Sequence, residues 1–345
     1  MRSIMKRAKL YKNARRSVIA TLGISCILVA SSGHTQDSNS DTEEWLKNNS
    51  SGKSEAWRDS WPEVEQLKTV KVSQNIHLVH GVGGTVAVYA AAEGTLLVDS
   101  GHFRVLESRL YPAVNDIAKD KPVRYIVNTH GHGDHGAGNT HYIGLGAVAI
   151  SHSSVPNEYT NAPPHYPSLP PEGLPAITFN DKMTLYFDER IEMVHVPYGH
   201  SKGDIVVYFN EQNVMHTGDI FIKSGYVSVA GMYKNPKGST LGLIEAQKIA
   251  LAFGDENTKY ITGHSRGVVV GREELERDHQ MLVTVVGRIK KGIEAGKTLE
   301  QIKATKPTRE FDSAYVWPGM TAERTVENYY YGIVGDPPPS KRRFM

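Results

Sequence analysis

Apolar and polar positions fall into a clear pattern from about residue 76 onward. Ile76-His77-Leu78-Val79, Thr85-Val86-Ala87-Val88-Tyr89 and Thr95-Leu96-Leu97-Val98-Asp99 are short β-rich runs separated by Gly81-Val82-Gly83-Gly84 and Glu93-Gly94. Leu106, Leu110, Val114 and Ile117 recur at helical spacing before Pro122. The run ending in Tyr125-Ile126-Val127 reads as a strand, and Ala147–Ser151 as the next. Strands resume at Thr184–Phe187, Ile191–Val196, Ile205–Phe209 and Val214–His216. A helix is predicted from Ser239 with Leu241, Ile244, Ile249 and Leu251 on its inner side, followed by a strand over Thr258–Thr262. Arg272–Ala295 and Thr298–Thr305 read as a long and a short helix, and from Pro307 the period is lost. Two groups of strands, each followed by helices, predict a layered α/β fold with two central sheets.

The remaining segments suggest a division into four parts. Residues 1–33 hold seven basic side chains and no acidic one, followed from Val18 by thirteen mostly apolar residues. This is the layout of a signal peptide, with Ala30-Ser31-Ser32 resembling a cleavage site, and it predicts a periplasmic or secreted protein without a stable membrane domain. Residues 34–70 read as a polar linker, 71–306 as the folded body and 307–345 as a tail. Seven prolines within residues 155–175 mark a stiff loop, either a lid or a structural cover.

Charge and cysteine content narrow the chemistry. Subtracting the seven leader cations from 39 Lys and Arg leaves 32 against 37 acidic residues, a net −5. That sign argues against nucleic acid as a partner. Cys26, the only cysteine, lies in the leader, so the mature chain has no disulfide and no thiolate ligand.

Thr129-His130-Gly131-His132-Gly133-Asp134-His135 places three imidazoles and a carboxylate directly after a predicted strand. Neutral imidazole and carboxylate suit a borderline divalent metal such as zinc. Three further pieces end strands beside glycine: Gly199-His200-Ser201-Lys202-Gly203-Asp204, His216-Thr217-Gly218-Asp219 and Thr262-Gly263-His264. Glycine lets the chain turn sharply there, so that the next side chain faces a shared cleft.

From about Gly81 to Gly267 these ordered motifs resemble the metallo-β-lactamase-fold superfamily, whose HxHxDH, H, D and H positions are all matched. The resemblance implies a four-layer αββα sandwich and two Zn2+ per chain. It assigns His130, His132 and His200 to one zinc, Asp134, His135 and His264 to the other, and Asp219 to both. Asp99 matches the first motif as the partner of a ligand rather than a ligand.

Two zinc ions about 3.5–4 Å apart can share a hydroxide at neutral pH, because bound water falls to a pKa of about 7. The expected activity is hydrolysis of a cyclic amide or ester, with β-lactamase activity first. Lactone, ester or thioester hydrolysis is the alternative, and a non-enzymatic zinc-binding role is disfavoured by the complete ligand set. Asp134 is the expected catalytic group, orienting the hydroxide and taking its proton. The cleft should favour a small anionic carbonyl substrate. Lys223, Arg266, Tyr226 and Tyr233 are candidates to contact it. His195, His216 and His102 are expected to support the structure rather than bind metal.

Overall fold

The computed structural model describes residues 65–161, 168–196, 198–229, 239–317 and 320–335. The predicted leader and most of the predicted linker lie outside these residues, as does Tyr233. Among the described residues no helix is long and apolar enough to cross a membrane.

Among the described residues, twelve strands form two sheets. The first has the order β1 (Lys68–Lys71), β2 (Ile76–His80), β3 (Val86–Ala90), β4 (Thr95–Val98), β5 (Val123–Val127), β6 (Val148–His152) and β7 (Ile177–Phe179). Its first three pairings are antiparallel and its last three parallel. The second sheet comprises β8 (Lys182–Phe187), β9 (Glu189–His195), β10 (Ile205–Phe209), β11 (Val214–His216) and β12 (Lys259–Ile261), and only β11–β12 is parallel.

Period-two alternation explains the layering. Along β10, Ile205, Val207 and Phe209 join Leu78, Tyr89, Leu96 and Val127 in a core between the sheets, while Val206 points to the opposite face. There it meets α3 (Ser239–Phe253), α4 (Arg272–Glu294) and α5 (Ala322–Val334) through Leu243, Ala246, Leu282, Val285 and Tyr329. Across the first sheet, Val88, Leu97 and Ile126 pack beneath α1 (Tyr111–Ala118) and the turn before it through Val114 and Leu110. The result is the αββα sandwich that the motifs imply.

Several sequence expectations are corrected. Leu241 is 41% exposed, whereas Leu243, Ala246, Ala250 and Leu251 face the core. The helix is apolar on most sides, so its phase is set by the small alanines that admit close packing. The presumed tail contains Asp312–Tyr315 and Ala322–Val334, both helical. The buried face of the latter carries Thr325, Asn328 and Gly332, which conceals the apolar period. β1 occupies the end of the presumed linker and pairs with β2. Within the proline-rich stretch, α2 (Val155–Thr160) packs Val155 and Tyr159 against Leu169.

Candidate metal centre

The loops that leave β4, β5, β9, β11 and β12 bring Asp99, His130–His135, His200, Asp219 and His264 to one end of the sandwich. Close backbone approach makes this possible. A Cβ at Gly263 would stand 1.9 Å from Asp219 Oδ1, and Gly218 turns at φ +54 against Thr129. A larger residue at Gly263 would displace the Asp219 carboxylate, and one at Gly218 would be strained and press on Thr129.

Four side chains converge first. His130 Nε2 and His200 Nε2 lie 3.1 and 2.9 Å from His132 Nδ1, and Asp219 Oδ2 is 3.9 Å from His130 Nε2 and 3.5 Å from His200 Nε2. A second group is Asp134, His135 and His264. His135 Nε2 and His264 Nε2 stand 3.3 and 3.4 Å from Asp134 Oδ2. Asp219 borders this group too, with Oδ1 3.3 Å from His135 Nε2 and Oδ2 3.4 Å from His264 Nε2.

Outer hydrogen bonds decide which ring nitrogen faces inward. Asp99 accepts from the Thr129 amide and hydroxyl, each at 2.8 Å, and from His135 Nδ1–H at 2.7 Å. With its proton given to Asp99, the Thr129 oxygen accepts from His130 Nδ1–H at 3.0 Å. His200 Nδ1–H donates to the Ser228 carbonyl at 2.5 Å. Nε2 of His130 and His200 is therefore left as the lone-pair atom, and Nε2 of His135 is the atom that offers one once its proton leaves, the arrangement a metal requires. Asp99 is thus placed as the partner of a ligand.

The donors fit a metal. Tetrahedral zinc with bonds of about 2.0–2.1 Å spaces its ligands about 3.3–3.4 Å apart, close to the separations in the second group. In the first group three imidazole nitrogens crowd within contact distance, which only a shared cation or proton relieves. Asp134 Oδ1 is buried without a hydrogen-bond partner.

Electrostatics agrees. Burial, reinforced by neighbouring imidazoles, drives His130 well below its usual pKa and His132 down to about 3, so both rings are neutral. Burial likewise lowers His200, against the pull of Asp219. Burial alone would raise Asp134 and Asp219, but His135 and His264 more than offset it and hold both well below the carboxylate range. The converse holds for those histidines. Despite burial, the carboxylates push His135 well above its ordinary value and His264 up to about 10. Without metal, protons thus occupy the positions a cation would take.

The other sequence candidates separate cleanly. His216 accepts from Gly218 N at 3.1 Å and donates to the Thr85 carbonyl at 3.0 Å, so both nitrogens are committed to the turn. His195 stacks on His152 at 3.9 Å and donates to the Asp204 carbonyl. His102 caps the helical turn starting at Phe103. Lys223 forms an ion pair with Glu274 on α4. Tyr226 is buried, and its hydroxyl donates to Asp312 Oδ1 at 2.9 Å, a packing role rather than a place in the cleft. Arg266 is exposed, at φ +54, two residues beyond His264.

Thr129 and Asp204 escaped the sequence reading. Asp204 accepts from the His200 and Ser201 amides and the Ser201 hydroxyl, fixing the His200 turn. Its signal was an aspartate four residues after the histidine, the reach of a local side-chain turn.

Comparison with known proteins agrees with this geometry. The family model for the metallo-beta-lactamase superfamily matches residues 80–272, more than half of the chain. A metallo-beta-lactamase from Pontibacter korlensis superposes with a TM-score of 0.52 at 19% identity, covering 63% of this chain and 99% of its own. The DIM-1 metallo-beta-lactamase gives 0.52 at 19%, covering 64% and 99%. The inverting sec-alkylsulfatase Pisa1 from Pseudomonas sp. gives 0.57 at 14%, covering 80% of this chain and 52% of that one. These likenesses concern the fold. No curated protein matches the sequence. With its sheets, ligand order and family model in agreement, the chain belongs to the metallo-beta-lactamase superfamily, most of whose members are hydrolytic metalloenzymes.

Proposed function

We propose that this protein is a dizinc hydrolase that cleaves a cyclic amide or ester, with β-lactams as the first substrate class. The position of Asp219 carries the reading, because its two oxygens reach nitrogens of both ligand groups. All seven donors are imidazole nitrogen or carboxylate oxygen, which suits zinc. Two zinc ions held here would supply an acidified water of pKa about 7, a Lewis acid for the carbonyl and a net positive pocket.

The chain's own residues do the rest. His130, His135 and His200 have their rings oriented with Nε2 inward by bonds at Nδ1, so binding requires only the loss of the His135 proton and no turning of these rings. Asp134 Oδ2 lies against His135 and His264, while Oδ1 is free of hydrogen bonds, which supports Asp134 as the group that would take the proton of the attacking water. Arg266, exposed beside His264, is the cation best placed to meet a substrate carboxylate. The basic, then apolar, leader supports an exported location.

One observation favours the second reading, a lactone, ester or thioester hydrolase with only incidental lactam cleavage. Lys223 is engaged by Glu274, so one expected contact for a lactam carboxylate is lost. The test is a panel of a penicillin, a cephalosporin, a carbapenem, an acyl-lactone and a thioester, run with metal-loaded and metal-stripped protein. Lactam turnover about a hundredfold below lactone turnover, close to 3 kcal/mol in transition-state binding, would replace the first reading by the second. Equal rates with and without metal would remove both.

A further inference from the structure

Outside the ligand set, one half-buried carboxylate reaches both turns that supply the three-histidine group. Glu158 lies on α2, beneath the His130–His135 loop. A Cβ at Gly131, the residue between His130 and His132, would stand 2.4 Å from Glu158 Cβ and 2.6 Å from Oε2. The Gly131 amide acts on that carboxylate as a hydrogen-bond donor. On the other side, a Cβ at Gly203 in the His200 loop would lie 3.3 Å from Glu158 Oε1 and 2.8 Å from Ser154 Oγ. The Ser154 hydroxyl donates to Oε1 at 2.8 Å, which fixes the side-chain rotamer. Ser201 and Lys202, the two residues after His200, also act on the carboxylate. The adjacent Tyr159 is fully buried, and its hydroxyl donates to the His130 carbonyl at 3.1 Å.

Glycine at 131 and 203 thus makes room for one side chain between two ligand turns. A helix that merely covered the loop would need no acid there, and burying one is costly unless it is held by donors. Its carboxylate takes the Gly131 amide of one turn as donor, and on the other turn it lies against Gly203 and within the field of the Lys202 cation.

We propose that Glu158 is a positioning residue: its carboxylate fastens the His130–His132 turn to the His200 turn and so sets the spacing of the three imidazoles that hold one metal. The spacing concerned is the 3.1 Å and 2.9 Å approach of His130 and His200 to His132. Residues behind metal ligands typically contribute about 10- to 100-fold in metal affinity. The inference rests on the metal-binding reading above.

Cobalt(II) titration of the metal-stripped full chain, followed by its visible absorption, tests it. Glu158→Ala should weaken one cobalt equivalent by about 10- to 100-fold and leave the other unchanged, with the thermal midpoint of the metal-free protein kept. Glu158→Gln preserves the shape and one acceptor oxygen and should recover most of the loss. If Glu158→Ala does not fold, Ser154→Ala carries the test, since it removes the hydrogen bond that fixes the rotamer and leaves the carboxylate in place, and a smaller loss at the same equivalent is expected. Unchanged cobalt affinity and spectrum in these variants overturn the assignment. So does equal weakening of both equivalents together with a lowered metal-free midpoint, which marks a general packing role. A wild-type chain that takes up no cobalt overturns the metal reading itself, a result distinct from either.

Discussion

Asp99→Asn isolates the contribution of a residue that lies behind the ligands. The wild-type carboxylate accepts three hydrogen bonds, from the Thr129 amide, the Thr129 hydroxyl and His135 Nδ1. In the variant, the amide oxygen retains the bond from Thr129 N, and an NH2 group stands where Oδ2 accepted from His135. Two donors cannot face each other at 2.7 Å, so His135 gives up its Nδ1 proton and keeps the one on Nε2. That nitrogen is the atom that faces Asp134 Oδ2 and Asp219 Oδ1. The lone pair needed by a metal is thereby lost. Asp99 has φ 65, a left-handed conformation that asparagine adopts readily, so the backbone is not the cause. Loss of a ligand's hydrogen-bond partner costs about 10- to 100-fold in metal affinity, or about 1.4–2.7 kcal/mol. A reversed tautomer belongs at the upper end of that range. Zinc competition against a chromophoric chelator near neutral pH should show the second equivalent weakened by about a hundredfold. Wild-type affinity for both equivalents in a folded Asp99→Asn protein would refute the tautomer argument.

Other tests follow from the same geometry. His135, held well above its usual pKa, and His264, raised to about 10, carry protons in the metal-free chain at neutral pH. Zinc uptake should therefore release a proton from each ring, measurable with an indicator dye, and affinity should rise with pH toward 10. Because His264 is raised in the fold from 6.5, its stabilisation of metal-free protein is full below pH 6.5 and is lost as pH rises toward 10. A metal-free melting midpoint that rises over that interval contradicts the assignment. Lys223→Met should leave KM unchanged for carboxylate-bearing substrates, while Arg266→Ala should raise it by up to about fivefold, the scale of an exposed charge pair. The reverse pattern would place Lys223 in the cleft. Tyr226→Phe should cost about 1 kcal/mol in denaturant unfolding with kcat retained, because only its hydrogen bonds to Asp312 and Thr308 disappear. A lost kcat at unchanged stability would return Tyr226 to the cleft.

Local chemistry determined what could be read from the sequence. Strand β10 was legible to the residue because it is an unbroken β-branched and aromatic run, Ile-Val-Val-Tyr-Phe, buried on both faces. The seven donors were legible because each lies beside glycine at a strand end, and the fold brings them within 4.8 Å of one another in their two groups. Partners distant in sequence were not legible. Lys223 looked available until α4 supplied Glu274, and Tyr226 until Asp312 arrived from 86 residues away. The helix Ala322–Val334 was hidden because it packs through Thr325, Asn328 and Gly332 as well as Val326 and Tyr329. Glu158 carries no motif, and only the closeness of Gly131 and Gly203 gives it a purpose.

The central claim is that Asp219 joins two metal sites into one hydrolytic centre. Zinc content per chain, measured together with hydrolysis for the wild type and Asp219→Ala, tests it most directly. The wild type should hold two zinc ions and turn over a carbonyl substrate, whereas Asp219→Ala should lose at least one ion and most of the activity. A wild type saturated by a single zinc, or an Asp219→Ala protein that keeps two zincs and full activity, would contradict the account.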